Sequence, residues 1–74
     1  LLMAKRGRGG VMQVLLNGRQ VGALRLAGSG AISFAYNPEW LAWEHAMPIS
    51  LSLPLREEAH QGAPVIAWRY ALNK

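Results

Sequence analysis

Three short segments in the first half of the chain alternate apolar and polar positions, the period-2 pattern of half-buried β-strands. They cover residues 12–17, 19–26 and 31–36. Asn17 and Gly18 separate the first two segments, and this pair tolerates the positive φ angles of a tight hairpin turn. The pattern therefore predicts an antiparallel meander joined by short turns. Within it, Gly22 indicates a bulge or a point of close backbone approach.

A short helix is predicted over residues 38–46. Asn37 offers a capping side chain, Pro38 suits the first helical position, and Pro48 cannot continue the helix. Three large apolar side chains at helical spacing would share one face: Trp40, Trp43 and Met47. We expect that face to cover the sheet.

The second half is less uniform. In residues 49–55 the alternation returns, and Pro54 on its polar side indicates an edge strand. Residues 56–62 are polar and predict a solvated loop, while the start of residues 65–74 favours a further strand, with a helical or irregular end left open. The predicted class is α+β, mainly β: a small antiparallel sheet of about four to five strands, with one short helix between strands three and four.

The chain has 74 residues, enough for one small domain. Residues 1–11 are glycine-rich and without periodicity, which predicts a disordered basic arm, and residues 12–74 are expected to form the domain. No apolar run reaches the roughly 18 residues of a membrane span, so no membrane contact is expected, and the lack of cysteine fits a cytoplasmic protein. With 51% hydrophobic and 16% charged residues, the composition favours an apolar surface that a partner covers.

The formal net charge of +4 is concentrated in the arm, at Lys5, Arg6 and Arg8. Residues 12–74 carry five basic and four acidic side chains, so the predicted domain is nearly neutral. A basic arm can touch phosphates, but a solvated end is the simpler interpretation. Direct contact with DNA is therefore not expected.

No set of side chains meets the needs of catalysis. Glu57 and Glu58 are adjacent, so they diverge, and no apolar wall is present to raise a pKa. His45 is interpreted as a helix-end residue near the terminal carbonyls, and His60 as a surface-loop residue. The serines lack the setting of a nucleophile elbow and the glycine pairs lack that of a phosphate loop. We predict no enzymatic activity, no cofactor and no metal.

The stretches VLLNGRQVGAL, FAYNPEWLA and MPISLSLPL resemble the N-terminal subdomain of the HipA family of serine/threonine toxin kinases. That subdomain typically has V-G-x-L after a turn, then F-x-Y-x-P-x-W-L and P-[LI]-S-L-S-L-P-L. The matching positions are Val21, Gly22, Leu24, Phe34, Tyr36, Pro38, Trp40, Leu41, Pro48, Ser50, Leu51, Ser52, Leu53, Pro54 and Leu55. The resemblance covers residues 12–55 and is most specific in PISLSLPL. After it, residues 68–74 depart from the F-F-x-N-L-L-P-like segment usual in those kinases.

This sequence holds none of the ATP-binding loop, catalytic Asp or metal-binding residues that HipA kinases carry further along the chain. A separate copy of the subdomain resembles the HipS-like antitoxins of three-gene HipBST toxin–antitoxin systems. The resemblance thus implies an antitoxin that binds a HipT/HipA-type kinase in place of its missing N-terminal subdomain, with a HipB-like DNA-binding protein as a third partner. The alternative is an N-terminal fragment of a full-length HipA-type kinase, without activity of its own.

Trp68, Arg69 and Tyr70 are the predicted partner contacts. They stand in a row and belong to the three residue types most enriched at interface hot spots. On a strand they could not all face one small core, so at least one is expected to point outward. Trp68 is the expected anchor, and its alternative role is a core residue.

Overall fold

The computed structural model describes residues 2–72. Within that range the chain forms one five-stranded antiparallel sheet in which spatial order follows sequence order. The elements are β1 (Leu2–Arg6), β2 (Val11–Leu16), β3 (Arg19–Leu26), β4 (Ile32–Tyr36), α1 (Pro38–Ala42), β5 (His60–Gln61) and α2 (Ala63–Leu72). The mainly β, antiparallel class is confirmed. The placement of helices differs, because α1 follows the fourth strand and a second helix ends the described chain.

Strand β1 lies in the segment that the sequence predicted to be disordered. It pairs with β2 from Leu2 opposite Leu16 to Arg6 opposite Met12, and the Gly7 N–H donates to Val11 O at 2.8 Å. Most β1 side chains are exposed. Backbone pairing with the edge of β2 therefore holds this strand. Because it does not depend on burying side chains, its sequence shows no apolar periodicity. The disorder prediction for residues 1–11 is wrong over β1; Leu1 lies outside the described residues.

The β2–β3 hairpin confirms its predicted turn. Asn17 has φ +52° and Gly18 φ +83°, the left-handed values that a type I′ turn requires. The register shifts within the hairpin, because Val14 pairs with Gly22 whereas the next residue of β2 pairs with Gln20. Val21 is thus the extra residue of a bulge. A Cβ on Gly22 would lie 2.2 Å from the Ala35 carbonyl oxygen, so the predicted close approach is confirmed.

One face of the sheet carries the core, and α2 covers it. Leu24 and Phe34, which pair across β3 and β4, are buried together with Val14 of β2, and Trp68 of α2 packs on Phe34 with ring centroids 5.4 Å apart. The other buried apolar side chains come from the sheet, both helices and the loop before β5: Val21, Ile32, Tyr36, Trp40, Leu53 and Val65. No described helix has the length and hydropathy needed to cross a membrane.

Helix α1 is shorter than predicted. Trp43 is already extended, and its N–H bonds to Trp40 O three residues back, which closes the last turn tightly. Asn37 occupies the cap position but its side chain makes no cap hydrogen bond. Trp40 is buried as expected, while Met47 is 52% exposed. Trp43 still packs partly buried against the core, so the prediction of one covering helix face is wrong in that the helix ends before Trp43 and Met47 is exposed.

Residues 49–55 do not form the predicted strand. The edge of β4 pairs with the two-residue strand β5 instead, Ser33 opposite Gln61 and Phe34 opposite His60. The Ile49 N–H and the Leu53 carbonyl, which a strand would use in a ladder, both bond instead to the hydroxyl of Tyr36. The segment is consequently a series of turns.

The last described segment is helix α2 rather than a strand. The Gly62 carbonyl accepts from the N–H groups of Val65 and Ile66, which starts the helix, and Pro64 lies in the first turn where no N–H is required. Val65 and Trp68, three residues apart, are the buried pair. Packing onto the sheet overrides the β-propensity of the segment's start. Asn73 and Lys74 lie outside the described residues.

Candidate interaction surface

The described titratable side chains are the first candidates for a metal centre. Residues 2–72 contain no group of three or more His, Cys, Asp or Glu side chains able to hold a metal ion. Glu57 and Glu58 are exposed. His45 does not contact helix carbonyls as expected, and instead lies 3.7 Å from Glu44 in solvent. His60 is not a surface residue: it is 3% exposed in β5, and its Nε2 lies 2.7 Å from Pro54 O.

Tyr36, at the end of β4, fixes the segment that follows α1. Its hydroxyl donates to the Leu53 carbonyl and accepts from the Ile49 N–H at 3.1 Å. Burial raises the pKa of this phenol, and the bond from Ile49 opposes part of that rise. Leu53 is fully buried, so both its backbone and its side chain anchor the loop to the sheet.

A tight turn lies between these two attachment points. The Leu53 N–H donates to Ser50 O at 3.0 Å, and the Ser52 N–H donates to Ser50 Oγ at 3.3 Å. The two serine hydroxyls are 3.0 Å apart. Leu51, at the tip, is 100% exposed. A fully exposed leucine on a braced turn keeps its apolar surface in water, and burying such a side chain is worth about 1.5–3 kcal/mol.

A groove runs between this turn and α2. Its volume is about 430 Å³. The lining side chains are mostly apolar or small and come from β1, the turn and α2: Leu2, Ile49, Ser50, Ser52, Ala67, Trp68 and Ala71. We call the groove together with Leu51 the docking surface. Because the turn is already ordered in the free domain, binding of a partner would not have to include the entropic cost of ordering it.

The three predicted contact residues separate on α2. Trp68 is 6% exposed and belongs to the core, although one edge of it lines the groove. Arg69 is half-buried, and Tyr70 is 72% exposed. At 100° per residue a helix cannot aim three consecutive side chains at one surface. Tyr70 does point outward, but on a helix and not on the strand from which that expectation was argued.

Leu51 and Tyr36 are the residues that sequence reasoning assigned to other roles. Leu51 was expected on the apolar face of a strand, and Tyr36 was singled out only as a position of the family motif. Ser50 and Ser52 flank Leu51, and serine side chains compete with a strand ladder for hydrogen bonds to the backbone. Pro54, which follows, is also common in turns. That composition is the signal that a turn was available.

The described residues thus define a small α+β domain whose candidate site is a preorganised apolar surface rather than a reaction centre. Residues 12–70 match the family model of the HipA N-terminal domain, and the chain belongs to that family. The match begins inside β2 and ends inside α2, so it includes the turn that carries Leu51. Strand β1 lies before the matched residues.

Proposed function

We propose that this chain is an antitoxin. It binds a HipA/HipT-type serine/threonine kinase that lacks this subdomain, occupies the corresponding position, and holds the kinase inactive. Membership of the HipA N-terminal domain family supports the choice of partner. The observation that carries the proposal is the fully exposed Leu51 on its braced turn. Antitoxin action in the cytoplasm requires no chemistry from the chain itself, only tight binding.

Leu51 is the central contact in this proposal. A leucine inserted into an apolar pocket of the kinase would be desolvated completely, whereas every other exposed large apolar side chain described is already part covered. Ala67 and Ala71 are small, so a partner can approach the helix closely along the groove. The bound kinase would then cover an apolar surface that otherwise remains in water.

Trp68, Arg69 and Tyr70 take different parts in the proposed contact. Tyr70 is exposed enough to reach the partner directly, and Arg69 lies at the flank of α2. Trp68 acts mainly from within, because its ring supports the groove wall while packing on Phe34. Truncating Trp68 is accordingly expected to destabilise the domain strongly rather than to produce a variant of parent-like stability that fails to bind.

The test is a calorimetric titration of the chain into a purified HipT-type kinase, with autophosphorylation measured on the same samples. Tight binding with loss of autophosphorylation is expected. Leu51→Ser should weaken binding by about 10- to 150-fold, the equivalent of burying one leucine. Leu26→Ser is the matched control, since Leu26 is 44% exposed at the far end of β3 and should leave binding unchanged.

Equal affinities for the parent chain and Leu51→Ser would remove the docking surface from the interface. Binding without loss of autophosphorylation would reject the antitoxin role while keeping the partner. The second candidate function is that of the N-terminal part of a full-length HipA-type kinase, which the name of the matched family favours. There the same surface would contact the kinase within one chain, and the chain added separately would not inhibit a kinase that already has its own subdomain.

A HipB-like DNA-binding protein is the proposed third component. The DNA contacts of such a complex are assigned to that protein. Size-exclusion chromatography of the three purified proteins, with light scattering, would measure the stoichiometry. A complex in which this chain joins only after the kinase is added is the expected order of assembly.

A further inference from the structure

A second groove, at the end of β1 away from the docking surface, brings two arginines together. Arg6 ends β1 and Arg69 lies on α2, and both line the groove beside Gly9 and Gly10 of the β1–β2 turn. The groove has a volume of about 240 Å³. Its remaining lining is apolar and comes from β2 and β3: Val11, Met12, Leu24 and Leu26.

The positive charge in this groove has no compensating carboxylate among residues 2–72. The Glu44 carboxylate lies 3.7 Å from His45 Nε2, just past the end of α1. Glu39 is on α1, Glu57 lines a cavity with other residues of that helix, and Glu58 lies in the loop before β5, where its carbonyl accepts from Arg56. Arg6 is exposed and Arg69 is half-buried, and because both line this groove, positive charge accumulates there without a negative partner in the described part of the chain. An oxyanion between them would supply that partner.

We propose that this groove is a binding site for a phosphate monoester, held by the guanidinium groups of Arg6 and Arg69. Guanidinium offers paired N–H donors that match two phosphate oxygens, so two of them can bind one phosphate from both sides. The N–H groups of Gly9 and Gly10 make no hydrogen bond within the described residues and are close enough to the groove to add donors. Arg69 is shared with the proposed kinase contact, whereas Arg6, Gly9 and Gly10 are not, so binding of phosphate to the isolated chain can be tested without the kinase.

The arrangement favours a single phosphate over a nucleic-acid backbone. Arg6 pairs with Met12 on the face that α2 covers, whereas Lys5 pairs with Gln13 on the open face of the sheet. Arg25 also belongs to the open face, because it alternates with the buried Leu24 along β3. The cations are therefore divided between two faces instead of forming the continuous track that a polyanion follows.

The test is a titration of the isotopically labelled chain, followed by amide NMR shifts at constant ionic strength. The probes are N-acetyl-phosphoserine amide, its unphosphorylated form, and inorganic phosphate. We expect saturable shifts at Gly9 and Gly10 with both phosphate probes and none with the neutral peptide. Tighter binding of phosphoserine than of inorganic phosphate would identify a phosphorylated side chain as the source, and the reverse would overturn the monoester in favour of free phosphate.

Arg6→Gln and Arg69→Gln should each weaken phosphoserine binding at least about tenfold, the loss of one charge-assisted hydrogen bond. Arg6→Lys and Arg69→Lys keep the charge and guard against misfolding, and they should lose less. Arg19→Gln removes the same charge where Arg19 lies 3.9 Å above the Trp43 ring, and should bind like the parent chain. Equal weakening by Arg19→Gln would show a net-charge effect and overturn the site. A short DNA duplex that displaces phosphoserine with a steep salt dependence would also overturn it, in favour of a nucleic-acid surface.

Discussion

Replacing Tyr36 by phenylalanine tests whether its hydroxyl holds the turn that carries Leu51 against the core. The substitution keeps the ring but removes the hydroxyl that bonds to the Leu53 carbonyl and the Ile49 N–H. Leu53 is fully buried, so its carbonyl would be left without a partner in the interior. An unsatisfied buried polar group costs about 1–3 kcal/mol. With a smaller loss at Ile49, which is only half-buried, we expect destabilisation of about 2–4 kcal/mol.

That loss is large for a domain of this size. At the usual 0.05–0.15 kcal/mol per residue, a chain of 74 residues has a free energy of unfolding of roughly 4–11 kcal/mol. The corresponding fall in Tm is roughly 10–25 °C. Urea unfolding followed by tryptophan fluorescence would measure it, and amide hydrogen exchange should be accelerated first at Ile49.

Tyr70→Phe is the matched control, because it makes the same chemical change on a side chain that is 72% exposed. Surface changes of this kind usually stay within about 0.5 kcal/mol. If Tyr36→Phe were also within that limit, the hydroxyl would not brace the turn and the preorganisation argument would fail. A folded Tyr36→Phe variant should bind the kinase more weakly, although Tyr36 itself makes no contact in the proposed complex.

Three further predictions concern stability. Gly22→Ala should destabilise the domain by about 1–3 kcal/mol or more, because the new Cβ would lie 2.2 Å from the Ala35 carbonyl oxygen. Urea unfolding would measure the loss, with Gly28→Ala as the control because a Cβ there has open space. Trp68→Ala should cost about 3–5 kcal/mol as a cavity mutation, so thermal melts followed by circular dichroism should show a large fall in Tm, whereas a parent-like Tm with weakened kinase binding would assign the residue to the interface. Stability should fall as the pH rises past about 10, the ordinary pKa of tyrosine. Burial raises the folded-state pKa of Tyr36, so the unfolded chain loses this proton first. Stability melts at increasing pH should show a weaker fall in Tyr36→Phe.

The meander could be predicted because local sequence alone determines its turns and faces. Asn17 and Gly18 accept left-handed backbone angles at little cost, and the alternation in β4 places Phe34 in the core. β1 could not be predicted in this way, since it is held by backbone hydrogen bonds to β2 and shows no face pattern. Pairing of that kind depends on an available strand edge, which is a property of the whole sheet.

The sequence of residues 65–72 favoured a strand, whereas the structure has a helix there, and the cause again lies in the whole sheet and not in the local sequence. Val65 and Ile66 are β-branched and Trp68 is aromatic, a composition that favours a strand. In the structure the open core face of the sheet needs a cover, and a helix with Val65 and Trp68 on one side supplies it. His60 was assigned to a loop because its neighbours are polar, yet it is the one buried residue of β5. Tertiary contacts decided both cases.

The strongest disagreement between local pattern and structure falls on the candidate site. Strict alternation in residues 49–55 would bury Leu51 and Leu53 on the same face, but only Leu53 is buried. A sequence that merely stabilised the fold would have no need of a leucine at the tip of an exposed turn, where serine or glycine serves better. Conflicts of this kind are expected where function rather than stability determines the residue. The exposed leucine is best explained as a side chain whose burial occurs in a complex.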